Sequence, residues 1–213
     1  MTRSPRHRLA RRALVLSRGC AAAWRQTRSP GRRLTLAGLA ALGLTAVLFV
    51  GWPLPPRLLD ADGAWSVRVL DRDGQLLREL PSRRASRSVS LPAEAPVPPV
   101  LRDAFIASED RRFEWHPGID PVAMVRAALS NLRAGRVVSG ASTLTQQLAR
   151  LLVPRRRTLA GKAQEALWAL RLSAHLPREE ILRAYLDRIA LGHDVVAVEA
   201  ASQAYFEIGR AHV

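Results

Sequence analysis

The sequence predicts a mainly α-helical domain that follows a single membrane-spanning helix and a short β-hairpin. Three observations carry this. The run LTLAGLAALGLTAVLFVGW, Leu34 to Trp52, holds no charged residue, and at about 1.5 Å rise per residue it just crosses the ~30 Å hydrocarbon core of a bilayer. Beyond it, WSVRVLDRDGQLLREL reads as two short strands about an Asp73-Gly74 turn. From Val100 onward apolar residues recur at helical spacing, with capping residues and stops between the segments.

All ten Lys or Arg positions before Leu34 hold arginine, and no acidic residue accompanies them. By the positive-inside rule, residues 1–33 form a basic tail in the bacterial cytoplasm, residues 34–52 span the inner membrane, and everything after about residue 53 lies in the periplasm. Ten of the fifteen net positive charges then meet anionic headgroups. A nucleic-acid footprint is the competing reading of such a run, and nucleic acid is not expected as a partner. A signal peptide would have a shorter apolar region and a small-residue cleavage site. Here the run ends in GWPLPPRLL, with Trp52 placed for the interface and prolines that stop the helix. Cys20 is the only cysteine, so no intrachain disulfide can form.

Residues 53–99 read as the hairpin and then an extended linker, because Pro81 to Pro99 is rich in proline, serine and arginine. A helix from about Val100 to Asp110 places Leu101, Ala104, Phe105 and Ser108 on one face. Asp120 is the N-cap of the next, with Pro121 at its first position, Val122, Val125, Leu129 and Leu132 buried, and Gly135 as its stop. Thr143 and Gln146 form a capping box for a helix that ends before Pro154. Thr158 caps a longer helix that buries Ala163, Leu167 and Leu170. Pro177 opens another, with Ile181, Leu182, Tyr185 and Ile189 facing inward and Gly192 beyond its end.

The stretch SEDRRFEWHPGID gathers Glu109, Asp110, Glu114 and Asp120 around Phe113 and Trp115, in a chain otherwise short of acid. Glu109 falls at the C-terminal end of its helix, where the negative end of the dipole, Asp110 and apolar neighbours favour the protonated carboxyl, against Arg111 and Arg112. A carboxyl so placed is a candidate general base with a raised pKa; the same residues also fit an ordinary solvated helix end. Lys162 and Glu165 are three apart on one helix face, as a surface salt bridge or a binding site would have them. Lys162 is the single lysine among 33 Lys and Arg residues, which points to a need for a compact ammonium there. His116 reads as a hydrogen-bonding turn residue, since no second histidine stands at ligand spacing, and no metal site is read from the residues. No Ser-x-x-Lys motif occurs, so acyl transfer is not assigned.

Taken in order, EDRRFEWHPGID, SGASTLTQQLARLL, TLAGKAQEALWALRL and EILRAYLDRIALG resemble the motifs of the peptidoglycan glycosyltransferases, glycosyltransferase family 51, the domain found in class A penicillin-binding proteins and monofunctional transglycosylases. The resemblance covers residues 100–206. It implies a lysozyme-like fold at the outer face of the inner membrane and the extension of glycan strands from lipid II. The acceptor's 4-hydroxyl attacks C1 of the growing chain's terminal sugar with inversion, and undecaprenyl pyrophosphate leaves. By motif position Glu109 is the general base, Asp110 supports the site, and Phe113, His116 and Gly118 shape the turn that aims it. Ser142, Thr143, Gln146 and Gln147 bind the growing chain. Lys162 and the catalytic Glu165 meet the pyrophosphate directly or through a divalent cation, Mg or Mn; no organic cofactor is implied. The partners implied are lipid II, the growing glycan strand and membrane lipid, with cell-wall synthesis partners left open.

Some positions depart from the family pattern. Gly161 stands where many relatives carry arginine, with Arg155, Arg156 or Arg157 as replacements; Asp187 replaces a usual asparagine; Ala141 and Ala197 replace usual glycines. Two other readings stay open: a lysozyme-like enzyme that cleaves glycan, and a membrane-anchored scaffold or nucleic-acid binder without catalysis. Residues 207–213, EIGRAHV, can be encoded by GAG ATC GGA AGA GCA CAC GTC, which matches a common sequencing-adapter end read in frame. The expectation is that they are not native and that the 100–206 domain is incomplete, with Val198, Ala201 and Tyr205 needing cover.

Overall fold

The computed structural model describes residues 30–60, 65–83, 85–92, 96–192 and 194–206. Most of the basic tail and residues 207–213, with the expectations attached to them, lie outside the described residues. The chain divides into two compact units, residues 1–48 and 49–213. Helix α1 (Pro30–Gly51) contains an apolar stretch, Arg33–Gly51, long enough to cross a membrane and with none of it buried. An apolar helix exposed all round has no aqueous face to present.

In the second unit, β1 (Val67–Leu70) and β2 (Leu76–Leu80) pair antiparallel, with Val67 opposite Leu80. The Asp71 carboxylate fixes their turn by accepting the backbone N–H groups of Asp73 (2.9 Å) and Gln75 (2.7 Å). The segment expected to be a linker belongs partly to the fold. Within it, β3 (Arg87–Ser88) pairs parallel with β4 (Val195–Val196), and Leu91 and Val97 are buried in the core. Proline-rich composition marks sparse regular structure here, not exposure.

Helices α2 (Pro99–Glu109), α3 (Pro121–Ala134), α4 (Leu144–Leu152), α5 (Leu159–His175), α6 (Arg178–Leu186) and α7 (Val198–Phe206) make up most of the remainder, so the mainly α class holds. Their starts follow the expected caps. Asp120 accepts from the Ala123 N–H (3.0 Å), Thr158 from the Gly161 N–H (3.0 Å), and Thr143 and Gln146 form the reciprocal capping box, both bonds at 3.1 Å. Gly135 ends α3 in the left-handed conformation, φ +62°. The core lies where α4 packs against α5 and α6, around Leu144, Leu148, Leu172, Ile181, Leu182 and Tyr185. Burying each such side chain contributes roughly 1.5–3 kcal/mol.

Two helices turn a different face inward from the one expected. On α3, Val122, Val125, Leu129 and Leu132 are exposed, from 47% at Leu129 to 80% at Leu132, and the buried residues are Ala123 and Ala127. On α5, Ala163 is exposed and Leu167 and Leu170 are half-buried, while Gly161, Glu165, Ala169, Arg171 and Leu172 are buried. On α5, Gly161 and Ala169 face inward where a neighbouring backbone comes close. A Cβ on Gly118 would lie 2.5 Å from the Ala169 carbonyl oxygen. On α2, Leu101 and Phe105 pack against the core as expected, but Ala104 and Ser108 are exposed. Ala201 is buried, Val198 packs on the core, and Tyr205 is 54% exposed.

Arg171 is buried for a reason composition does not disclose. Its guanidinium lies 4.6 Å from the Phe49 ring and 4.8 Å from the Trp168 ring, and donates to the carbonyls of Trp52 (3.0 Å) and Pro53. Carbonyls left without partners where prolines end a helix are satisfied by this one side chain.

Candidate active site

The site begins where α2 ends. Adjacent carboxylates at this point face opposite environments. The Asp110 side chain turns inward: its Oδ1 and Oδ2 each lie 3.0 Å from His116 Nε2, and Oδ2 also accepts the Leu144 backbone N–H at 3.0 Å. The Gly118 N–H donates to His116 Nδ1 (3.2 Å), so the ring proton is on Nε2 and points at Asp110. Thr143 Oγ1 donates to the Gly118 carbonyl (2.6 Å). Arg178 donates to the His116 carbonyl, its guanidinium 5.4 Å from the Phe113 ring. Together these contacts lock the turn after α2 onto the N-terminus of α4, where a buried carboxylate also meets the positive end of the helix dipole. Gly118, at φ +95°, is required both for that backbone conformation and for the approach of α5.

Glu109 turns outward. It is exposed, and its Oε2 accepts Gln147 Nε2–H at 2.9 Å. It lines a cleft of about 430 Å³ with Ser108, Arg126, Gly140, Ser142 and Thr143. Ser142 leads from this cleft to a second cluster. Lys162 Nζ donates to Ser142 Oγ (2.9 Å) and to Glu165 Oε1, and Arg155 Nε donates to Glu165 Oε2 (2.5 Å). Glu165 is 3% exposed. Burial alone would push its carboxyl up, but the hydrogen bonds and charges of Lys162 and Arg155 outweigh it and hold it below the ordinary value. Two cations around one anion leave net positive charge beside Ser142.

Position 161, where the family pattern has arginine, lies beside a loop that sends an arginine to Glu165. Gly161 is buried, and a Cβ there would run into the Arg156 carbonyl, so no larger residue fits this backbone. Arg155, one of the three replacements named from the sequence, reaches Glu165 instead.

Of the site residues taken from the motifs, Glu109, Ser142, Gln147 and Lys162 keep side chains at least partly exposed. Asp110, Phe113, His116, Gly118, Thr143, Gln146 and Glu165 are buried. Thr143 spends its proton on Gly118 and accepts from the Gln146 N–H, and Gln146 Oε1 accepts the Thr143 N–H, so both set the start of α4. Sequence reading missed Arg126 in the cleft wall and Arg178 behind the turn. Neither had a signal beyond being one arginine among many. Asp187, whose role the sequence left in doubt, accepts the Leu91 N–H at 2.8 Å and ties the 81–99 segment to the end of α6.

The donor set does not suit the Mg or Mn that the resemblance implies. Both Glu165 oxygens already accept from cationic side chains, and Asp110 is taken up by His116 and the Leu144 N–H. Among the described residues no three His, Cys, Asp or Glu side chains converge.

With this geometry in place, the comparisons with known proteins agree on one group. The transglycosylase family model matches residues 73–212. Penicillin-binding protein 1C of Escherichia coli (strain K12) is 40% identical over 149 residues, covering 70% of this chain and 16% of that protein. Penicillin-binding protein 1A of Haemophilus influenzae is 37% identical over 174 residues (81% and 19%), and that of Aquifex aeolicus is 50% identical over 111 (52% and 15%). The chain belongs to the transglycosylase family. It spans less than one fifth of the length of these three relatives.

Proposed function

We propose that the protein is a peptidoglycan glycosyltransferase that polymerises lipid II into glycan strands, with inversion at C1 and release of undecaprenyl pyrophosphate. The observation that carries this is an exposed carboxylate, Glu109, in a cleft whose wall residue Ser142 accepts from a lysine that Glu165 also holds. Glu109 takes the proton of the acceptor's 4-hydroxyl as that oxygen bonds to C1. The C1–O bond to the diphosphate breaks on the opposite face, and the electron pair leaves with the diphosphate. Lys162 has three N–H donors, of which Ser142 and Glu165 engage two, leaving one for a phosphate oxygen. Charge set in place before the reaction stabilises the departing anion without reorganisation.

Glycan cleavage is less well supported. It needs a second carboxylate, free or activating water, across the scissile bond. Glu165 is held by two cations and Asp110 by His116 and a backbone N–H, which leaves Glu109 alone among the three.

The arginine-rich tail orients α1 with its N-terminus in the cytoplasm and the catalytic unit in the periplasm of a bacterial inner membrane. A substrate with a polyprenyl tail requires such a location. The test is a polymerisation assay with lipid II on detergent-solubilised protein, with and without moenomycin, the inhibitor implied by the resemblance. Glycan ladders abolished by moenomycin are expected. Soluble muropeptides released from purified sacculi, with no polymer from lipid II, would contradict the reading.

A further inference from the structure

We propose that Tyr185 is a positioning residue for the base, acting through Gln147 to hold the Glu109 carboxylate in one orientation; this rests on the glycosyltransferase reading. Three side chains from three helices form a single chain of hydrogen bonds. Tyr185 OH on α6 donates to Gln147 Oε1 on α4 at 3.1 Å, and Gln147 Nε2 donates to Glu109 Oε2 on α2 at 2.9 Å.

The direction of this chain is fixed by chemistry. An ionised carboxylate only accepts, so the Gln147 amide must present its NH₂ to Glu109 and its carbonyl oxygen to Tyr185. The tyrosine must then donate. Without the hydroxyl, the Gln147 carbonyl oxygen loses this donor, and among these bonds the amide is held only by its bond to the carboxylate. Burial, followed by the charge of Glu109 and opposed by Arg150, pushes the Tyr185 phenol up to about 12. The phenol is therefore protonated, and able to donate, through the neutral range.

The Tyr185 ring also grips the helix that carries the base. It is 1% exposed and meets the Phe105 ring edge-on, with centroids 6.1 Å apart and an interplanar angle of 78°. Phe105 is four residues before Glu109, one turn away on the same side of α2. The ring fixes the helix and the hydroxyl fixes the amide, so one residue sets both the position and the rotation of the carboxylate. Proton transfer in the attacking step depends on that alignment.

Tyr185→Phe separates the two functions, because it keeps the ring and removes the oxygen. With lipid II as substrate, kcat is expected to fall on the order of tenfold, the effect of losing one oriented hydrogen bond, with KM and the melting temperature unchanged. Gln147→Ala should lower activity at least as much, and Tyr185→Phe combined with Gln147→Ala should lose no more than Gln147→Ala alone, since the tyrosine acts through the amide. A Tyr185→Phe enzyme with wild-type kcat, or losses that multiply in the double variant, would overturn the proposal while leaving wild-type polymerisation intact. No polymerisation by the wild type would instead overturn the functional reading, and the relay with it.

Discussion

Glu109 and Asp110 are adjacent, chemically similar and put to different use. The backbone turn after α2 sends one side chain to the cleft and the other to His116 and the Leu144 N–H. The motif residues were legible in the sequence, but their division into side chains that meet the cleft and side chains that frame it was not. That division depends on rotamers and caps: Thr143 could have bound a sugar until its hydroxyl is seen to be used at both ends. Lys162→Arg is expected to lower turnover roughly tenfold or more, while arginine-to-lysine changes in the basic tail leave it unaltered. A planar guanidinium cannot replace a compact ammonium between Ser142 and Glu165. Steady-state rates with lipid II decide this, and equal rates would make the lone lysine an accident of drift. Acid stability is also set by single residues. The Glu165 and Asp120 carboxyls are both held below their ordinary values, 4.5 and 3.8. For Asp120, burial works against the shift, and the Ala123 N–H and the Arg112 charge outweigh it. Their contribution is fully present above those values and is lost as pH falls through the lower native ones. Melting temperature should therefore drop below about pH 4.5, and Glu165→Gln with Asp120→Asn should flatten the drop. An unchanged acid limb in the double variant would refute this.

At the scale of elements, the caps and stops were legible because each is a local rule. Asp120, Thr143 and Thr158 each satisfy an N–H two or three residues on. The faces of α3 and α5 were not, because apolar spacing identifies a stripe but not what covers it. On α3 Ala123 and Ala127 face inward, and the valine and leucine stripe is left outside. Arg126 belongs both to that stripe's surface and to the cleft wall, so the stripe borders the site. On the proposed reading, with its polyprenyl-linked substrate, a bilayer is the expected cover of this stripe. In a Cys20→Ser background, a fluorophore on Val125→Cys or Leu129→Cys in proteoliposomes is expected to be quenched by brominated acyl chains; a label quenched only from the aqueous phase would contradict this. On α5 a close backbone makes Gly161→Ala costly. Its Cβ meets the Arg156 carbonyl, so the loop must move and Arg155 must leave Glu165. Overpacking of this kind costs about 1–3 kcal/mol, and turnover should fall with stability; an alanine variant as stable and active as wild type would show that the loop yields freely.

For the molecule as a whole, charge and hydropathy were informative far ahead of any detail. An arginine-rich tail, an apolar helix, and a helical domain with Glu109 in a cleft and Lys162 joined to its wall through Ser142 are what the proposed chemistry on a membrane-bound, diphosphate-activated sugar calls for. What the sequence could not disclose is which distant segments of the second unit are joined. Arg171 gathers the Trp52 and Pro53 carbonyls, and Asp187 pins the 81–99 segment, each across about a hundred residues of chain. The central claim is that Glu109 is the base, and one substitution tests it directly. Glu109→Gln keeps the size of the side chain and an oxygen that can accept from Gln147, but removes the proton acceptor. Lipid II polymerisation, followed by gel resolution of labelled glycan, is predicted to fall roughly 10²–10⁴-fold with melting temperature and moenomycin binding unchanged. Polymerisation by the glutamine variant at the wild-type rate would contradict the account.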